Sequence, residues 1–139
     1  MKILLVEDSR TIRLENERAL IKAGYEVICA EDGQSALQLA KGQQPDLILL
    51  DLLLPKMSGL EVLEFLKSNP GTAQIPVVVL SALYGKNREK LMAAGAEDYL
   101  EKNSLMTNGQ NLLPKVLENV ICRINRKRGI RFASVPTSL

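Results

Sequence analysis

The stretch DLILLDLLLPKMSG, Asp46 to Gly59, sets one acid, Asp51, in a run otherwise built of leucine and isoleucine. Such an unbroken apolar run fits a strand covered on both faces, as in the middle of a parallel sheet. The acid then stands where that buried strand stops. Beyond it come a loop and a helix start: Ser58-Gly-Leu-Glu61 has capping-box spacing and predicts a helix over Gly59–Lys67, broken by Asn69-Pro70-Gly71.

The same alternation recurs along the chain. Strand runs are expected at Lys2–Val6, Tyr25–Cys29, Asp46–Leu50, Ile75–Leu80 and Ala96–Leu100. Between them Arg10–Ala23 reads as a helix offering Ile12, Leu14, Ala19 and Leu20 to the core and ending at Gly24. Shorter helices are expected at Gln34–Gly42 and about Lys86–Ala94. A last one carries Leu112, Leu113, Val116, Leu117, Val120, Ile121 and Ile124 at intervals of three and four, with Pro114 in its first turn. A polar loop, Asn103–Asn111, precedes it and an irregular tail comes after it. Five strand–helix alternations predict an α/β fold, a doubly wound five-stranded parallel sheet with helices on both faces.

A chain of 139 residues fits one compact domain and leaves no room for a second catalytic or DNA-reading one. Its 46% hydrophobic and 24% charged residues describe a globular and not a disordered protein. No run reaches the ~20 apolar residues of a membrane span, and no cleavable leader follows Met1, so a cytoplasmic protein is expected. Cys29 and Cys122 lie in apolar surroundings without metal-type spacing and are expected to be buried thiols. Residues 1–122 hold 13 Lys/Arg and 16 acids, whereas residues 123–139 hold Arg123, Arg126, Lys127, Arg128 and Arg131 and no acid. These cations are expected to complement a helix C-terminus. Without a reading motif they could supply only salt-sensitive attraction to nucleic acid, which is not expected as a partner.

In an open parallel sheet, ligands bind beyond the carboxyl ends of the strands, where the strand order reverses. The residues there are Glu7 and Asp8 after the first strand, Asp51 after the third, Ser81 after the fourth and Lys102 past the fifth. With strand order 2-1-3-4-5, Glu7, Asp8 and Asp51 share one concavity. Three carboxylates that close repel one another unless a cation sits among them. An all-oxygen set suits Mg²⁺, which keeps several waters and often takes phosphate oxygens. A carboxylate is also a nucleophile toward phosphorus, giving an acyl phosphate, and the Ser81 hydroxyl and Lys102 ammonium would hold the phosphoryl oxygens.

The segments ILLVEDS, LILLDLLLPKMSG, VVVLSA and DYLEK, in this order and spacing, resemble the receiver domain of two-component response regulators, in particular the single-domain chemotaxis type. The resemblance covers about residues 1–122 and leaves 123–139 as a basic helix end and tail. It implies a flavodoxin-like fold, Mg²⁺ at Glu7, Asp8, Asp51 and the backbone carbonyl of Leu53, and Asp51 as phosphoacceptor. Ser81 matches the hydroxyl that follows the phosphoryl group, Lys102 the family lysine, and Tyr99 the aromatic switch; Pro55 and Gly59 fit the strand-to-helix loop. It further implies a histidine kinase or phosphotransfer protein as donor, and a downstream protein that reads the face of the fourth helix, fifth strand and fifth helix. A phosphorylation-dependent homodimer stays open. So do plainer roles: Asp8 as a helix cap, Ser81 as a strand-end hydroxyl, Lys102 as a solvated cation, Tyr99 as packing.

The chain departs from the family pattern at Asn103, where proline usually follows the lysine. A cis bond before a non-proline residue costs about 3–4 kcal/mol, so a trans bond and a differently shaped loop are expected. Leu53 and Leu83 border the path of hydrolytic water in the family and cannot orient it, which points to slow self-hydrolysis. An aspartyl-nucleophile phosphohydrolase of the haloacid dehalogenase type would want a second acid at Leu53. A nucleotide- or flavin-binding module would want a Gly-rich first loop, and EDSRTIR is acidic. A phosphorylation-independent interaction module on the same fold is the remaining alternative. With no histidine, the chain cannot itself be the phosphohistidine donor.

Overall fold

The computed structural model describes residues 1–82 and 88–129; Leu83 and Arg131, both singled out above, lie outside them. Strands β1 (Lys2–Val6), β2 (Glu26–Ala30), β3 (Leu47–Asp51), β4 (Val77–Ser81) and β5 (Asp98–Glu101) form one parallel sheet in the order β2-β1-β3-β4-β5. Helices α1 (Arg10–Lys22), α2 (Gly33–Gln43), α3 (Gly59–Ser68), α4 (Arg88–Ala93) and α5 (Leu113–Arg128) follow the strands in turn. This is the doubly wound α/β fold expected from the alternation, with the flavodoxin-like strand order that the resemblance implies.

The apolar runs lack a polar phase because both faces of the sheet are covered. Ile3, Leu5, Leu47, Leu49, Val78 and Leu80 point to α1 and α5, where they meet Leu20, Leu117 and Ile121. Leu4, Val6, Ile48, Leu50, Val77 and Val79 point to the other side and pack on Ala36, Val62, Leu66 and Leu91 of α2, α3 and α4. Each fully buried leucine or isoleucine contributes on the order of 1.5–3 kcal/mol.

The strand ends differ from the expectation. Register pairs run Asp51↔Leu80 and Ser81↔Glu101, so Asp51 and Ser81 are the last residues of β3 and β4 and not the first after them. Their backbones are thereby held by the ladder itself. In α1 only Leu20 is buried, and Ile12 is 36% exposed, so the core contribution expected of Ile12 is not made. Ser9, not Asp8, caps that helix, its Oγ accepting from the Ile12 N–H. Half of the expected Ser58–Glu61 box forms: Oγ of Ser58 accepts from the Glu61 N–H at 3.2 Å, while the Glu61 carboxylate accepts from the Ser58 hydroxyl at 3.3 Å and not from its backbone N–H.

The expected Asn103–Asn111 loop is replaced by a 3-10 turn at Lys102–Ser104 and a small antiparallel hairpin, β6 (Met106–Thr107) with β7 (Gln110–Asn111). Its two-residue turn is Asn108-Gly109, with φ of 52° and 75°. Asparagine and glycine tolerate these left-handed angles, and such a turn matches the twist of a tight hairpin. The hairpin is tied to α1 by the Asn111 side-chain amide, which donates to Asn16 Oδ1 at 2.8 Å. No peptide bond among the described residues is cis, so Lys102–Asn103 is trans.

The cysteines are corrected in part. Both thiols are free, but Cys122 is exposed and Cys29 only half-buried. Cys122 follows Val120 and Ile121 and so lies beyond the edge of the buried stripe of α5. The Cys29 thiol is pushed up to about 12 by burial and by its contact with Glu17 at 3.2 Å, so it stays protonated. The basic end of α5 is also more engaged than a simple dipole partner. Arg123 pairs with buried Asp98 of β5 at 2.5 Å, and Arg128 pairs with Glu97 and donates to the Gln74 carbonyl at 2.6 Å. No helix among the described residues is long and apolar enough to cross a membrane.

Candidate functional site

At the carboxyl edge of the sheet, Glu7 continues β1 and keeps the side-chain parity of Ile3 and Leu5, while Asp51 keeps that of Leu47 and Leu49. With period-2 alternation and β1 paired to β3, the two carboxylates emerge on the same side of neighbouring strands. Carboxylate oxygens of Glu7, Asp8 and Asp51 all lie within 4.8 Å of one another. Glu7 and Asp51 are buried at 1% and 3% exposure, whereas Asp8 faces solvent. The pocket is therefore closed at the sheet and open to water on one side.

Lys102 enters from past the end of β5. Its Nζ lies 2.6 Å from Glu7 Oε1 and 3.1 Å from Asp51 Oδ2. Asn103 and the trans bond thus leave the lysine in reach of both acids. Asp51 Oδ1 accepts from the Leu53 N–H at 3.2 Å, which folds the chain back so that the Leu53 backbone borders the carboxylate. The Leu53 side chain is 58% exposed. Ser81, fully buried, lies on the strand next to Asp51, one residue past its register partner Leu80.

Three acids and one lysine leave an excess of negative charge. Its mark is on Glu7, whose carboxyl is raised above its ordinary value of 4.5 by burial first and then by its contact with Asp51, with Lys102 opposing. Burial alone would lower the Lys102 ammonium, but Glu7 and Asp51 together raise it. A hard divalent cation would neutralise the excess, and an all-oxygen donor set open to water on one side suits one that keeps part of its hydration shell. The donor set therefore fits Mg²⁺.

Tyr99 is 5% exposed, its ring packed in the core on the α2, α3 and α4 side. Between α4, β5 and α5 runs a groove of about 260 Å³ bordered by Arg88, Tyr99, Glu101, Leu105 and Val116. Asp98 on the same strand meets Arg88 of α4 at 4.0 Å and Arg123 of α5 at 2.5 Å, joining the three elements of that face.

Two features lie beyond the reading of the sequence. Arg13 donates through Nη1 to the carbonyl oxygens of Glu7 at 2.9 Å and Asp8 at 3.4 Å, and sequence carries no sign of backbone acceptors across a turn. The hairpin does carry a signal in Asn108-Gly109, a dipeptide with strong hairpin preference.

This arrangement gathers three carboxylates and one lysine at the carboxyl edge of a doubly wound sheet. Residues 3–113 match the response regulator receiver domain, and the chain belongs to that family. It is 40% identical over 102 residues to the polar-differentiation response regulator DivK of Brucella anthropi, covering 72% of this chain and 82% of DivK. Chemotaxis protein CheY4 of Vibrio cholerae superposes with a TM-score of 0.75 at 32% identity, over 86% of this chain and 97% of CheY4. The receiver domain of sensor histidine kinase PA1611 from Pseudomonas aeruginosa, which carries a magnesium ion in its active-site cleft, superposes with a TM-score of 0.72 at 32% identity. That match covers 87% of this chain and 97% of the other.

Proposed function

We propose that this receiver domain is a phosphorylation-driven switch that takes a phosphoryl group onto Asp51 from the phosphohistidine of a histidine kinase or phosphotransfer protein. The observation that carries the reading is the convergence of Glu7, Asp8, Asp51 and Lys102 at one edge of the sheet. In the transfer, an Asp51 carboxylate oxygen bonds to phosphorus as the phosphorus–nitrogen bond of the donor breaks, and the imidazole leaves with the electron pair. Glu7, Asp8, Asp51 and the Leu53 carbonyl are the groups to hold Mg²⁺, which supplies charge neutralisation for the incoming phosphoryl oxygens. Lys102 offers those oxygens a second cation, and the Ser81 hydroxyl a donor.

The new charge draws Ser81 toward the phosphoryl group. Because the Tyr99 ring already lies inside, phosphorylation acts by holding this placement and not by creating it. The groove between α4, β5 and α5 is the proposed surface read by a downstream protein or by a second copy of the chain. Leu53 offers no polar group to orient water, so the acyl phosphate is proposed to be long-lived and its loss slow. A cytoplasmic location follows from the donor chemistry.

The test is the intact mass of the protein after incubation with acetyl phosphate, with and without Mg²⁺, beside Asp51→Asn. One added phosphoryl group that requires both Mg²⁺ and Asp51 is the expected result. If no adduct forms and a beryllofluoride mimic also fails to bind, the switch reading is overturned in favour of a phosphorylation-independent interaction module.

A further inference from the structure

The turn between β1 and α1 carries two of the three acids, and Asp8 projects into solvent, so its direction depends on how firmly the backbone beneath it is held. Within the turn, the Ser9 N–H donates to Glu7 Oε2 at 3.2 Å, and the Glu7 N–H extends the β1–β2 ladder to the Ala30 carbonyl at 3.0 Å. The remaining hold comes from outside it. Arg13 sits in the first turn of α1, its N–H bonded to the Ser9 carbonyl, with a side chain only 13% exposed. Its Nη1 reaches the carbonyl oxygens of both Glu7 and Asp8, and its Nη2 pairs with Glu31 Oε1 at 3.3 Å. Glu31 directly follows β2 and precedes Asp32, the cap of α2. One guanidinium thus bolts the acid-bearing turn to the neighbouring β2–α2 turn.

The choice of arginine has a physical reason. A planar fork serves several acceptors at fixed angles, which the point charge of a lysine does not. Its charge, by contrast, works against the site, because a cation beside the acid pair opposes the approach of another. A positioning role and a purely electrostatic one therefore have opposite signs.

We propose that Arg13 is a positioning residue for the divalent-cation site, setting the backbone of Glu7 and Asp8 so that their carboxylates converge with Asp51. The inference rests on the metal reading of the acid pocket given above, and reaches Asp51 chemistry only through it.

The experiment compares the wild-type chain with Arg13→Met, Arg13→Lys and Glu31→Gln by hydrogen exchange, Mg²⁺ titration and thermal unfolding. Amide hydrogen exchange over residues 7–12 is followed in chelator, and Mg²⁺ affinity by titration calorimetry. Arg13→Met is expected to speed exchange in the turn without metal and to weaken Mg²⁺ about tenfold, the loss typical when a group that orients a ligand is removed. Glu31→Gln is expected to do the same to a smaller extent. Arg13→Lys is expected to restore the thermal midpoint but not the metal affinity. Unchanged or tighter Mg²⁺ binding in Arg13→Met, unchanged exchange, or full recovery of affinity in Arg13→Lys overturns the proposal. Should Arg13→Met fail to unfold cooperatively, Glu31→Gln decides alone, and wild-type behaviour in it overturns the proposal. If the wild-type chain takes no Mg²⁺, the metal reading fails; faster exchange in the variants would then still support Arg13 as the clamp of the turn.

Discussion

A β-carbon placed on Gly59 would lie 2.6 Å from the carbonyl oxygen of Asp51 and 2.7 Å from the α-carbon of Leu52. The first turn of α3 therefore presses on the segment that carries the Asp51 carboxylate, and the Gly59 N–H donates to the Leu52 carbonyl at 2.9 Å. Both obstructing atoms are backbone, so neither can swing aside. Gly59→Ala is expected to cost about 1–3 kcal/mol in urea unfolding, as for overpacking elsewhere. It should also depress adduct formation at Asp51 in the mass assay by more than the fraction unfolded accounts for.

Lys102 occupies the place a metal would contest. Lys102→Met removes the cation that faces both Glu7 and Asp51. Metal-free stability is expected to fall by about 1–3 kcal/mol, short of the full cost of orphaning a buried charge because the already raised Glu7 carboxyl can take up a proton. Mg²⁺ affinity should rise in the same variant, since a competing cation is gone, while phosphoryl uptake falls. Calorimetry and intact mass on one preparation separate the two effects.

Glu7 gives a pH signature. Its folded-state value is raised, chiefly by burial and next by contact with Asp51. A raised group favours the fold fully below its unfolded value of 4.5, and that contribution is lost as pH climbs through the folded value. In chelator, Glu7→Gln is expected to abolish this part of the decline, which a comparison of thermal midpoints from about pH 4 to about pH 8 would read. Mg²⁺ competes for the ionised form, so its affinity should begin to weaken on acidification above the ordinary glutamate range.

Leu53 allows a test of lifetime without a folding penalty, because its side chain is 58% exposed. Leu53→Asn is expected to leave the thermal midpoint unchanged and to hasten decay of the Asp51 adduct, followed by mass after donor removal. An unaltered decay rate would remove Leu53 from the account of slow hydrolysis.

The parts of this molecule legible in the sequence are those written in local pattern. The apolar runs through Ile3, Leu47 and Val77 announce buried strands, but Glu7, Asp8 and Asp51 come together only once the strand order β2-β1-β3-β4-β5 is fixed, which local pattern does not give. Strand ends differ by a residue or two because β-branched and leucine runs carry no mark of where pairing stops; the ladder through Asp51 and Ser81 is decided by the partner strand. Arg13 looks like any helix-surface cation until the carbonyls it serves are seen across a turn. Asp98 likewise looks like an ordinary strand residue, since Arg88 and Arg123, its partners, come from two other elements. The hairpin is a different case: Asn108-Gly109 is visible in the chain, but strands of two residues are too short to show any periodicity beside it.

The ion pair between Lys102 and Glu7 joins residues 95 positions apart in the chain. Glu7 is made with the first strand, but the ammonium that faces it arrives only when β5 docks on the far side of β4. Non-local contacts of this kind form late, after the entropy of closing long loops has been overcome. A nascent or partly unfolded molecule consequently holds Asp51 without the Lys102 cation, the neighbouring Ser81 strand or the converged acids. Under the proposed function, competence to take up a phosphoryl group therefore requires a completely folded molecule.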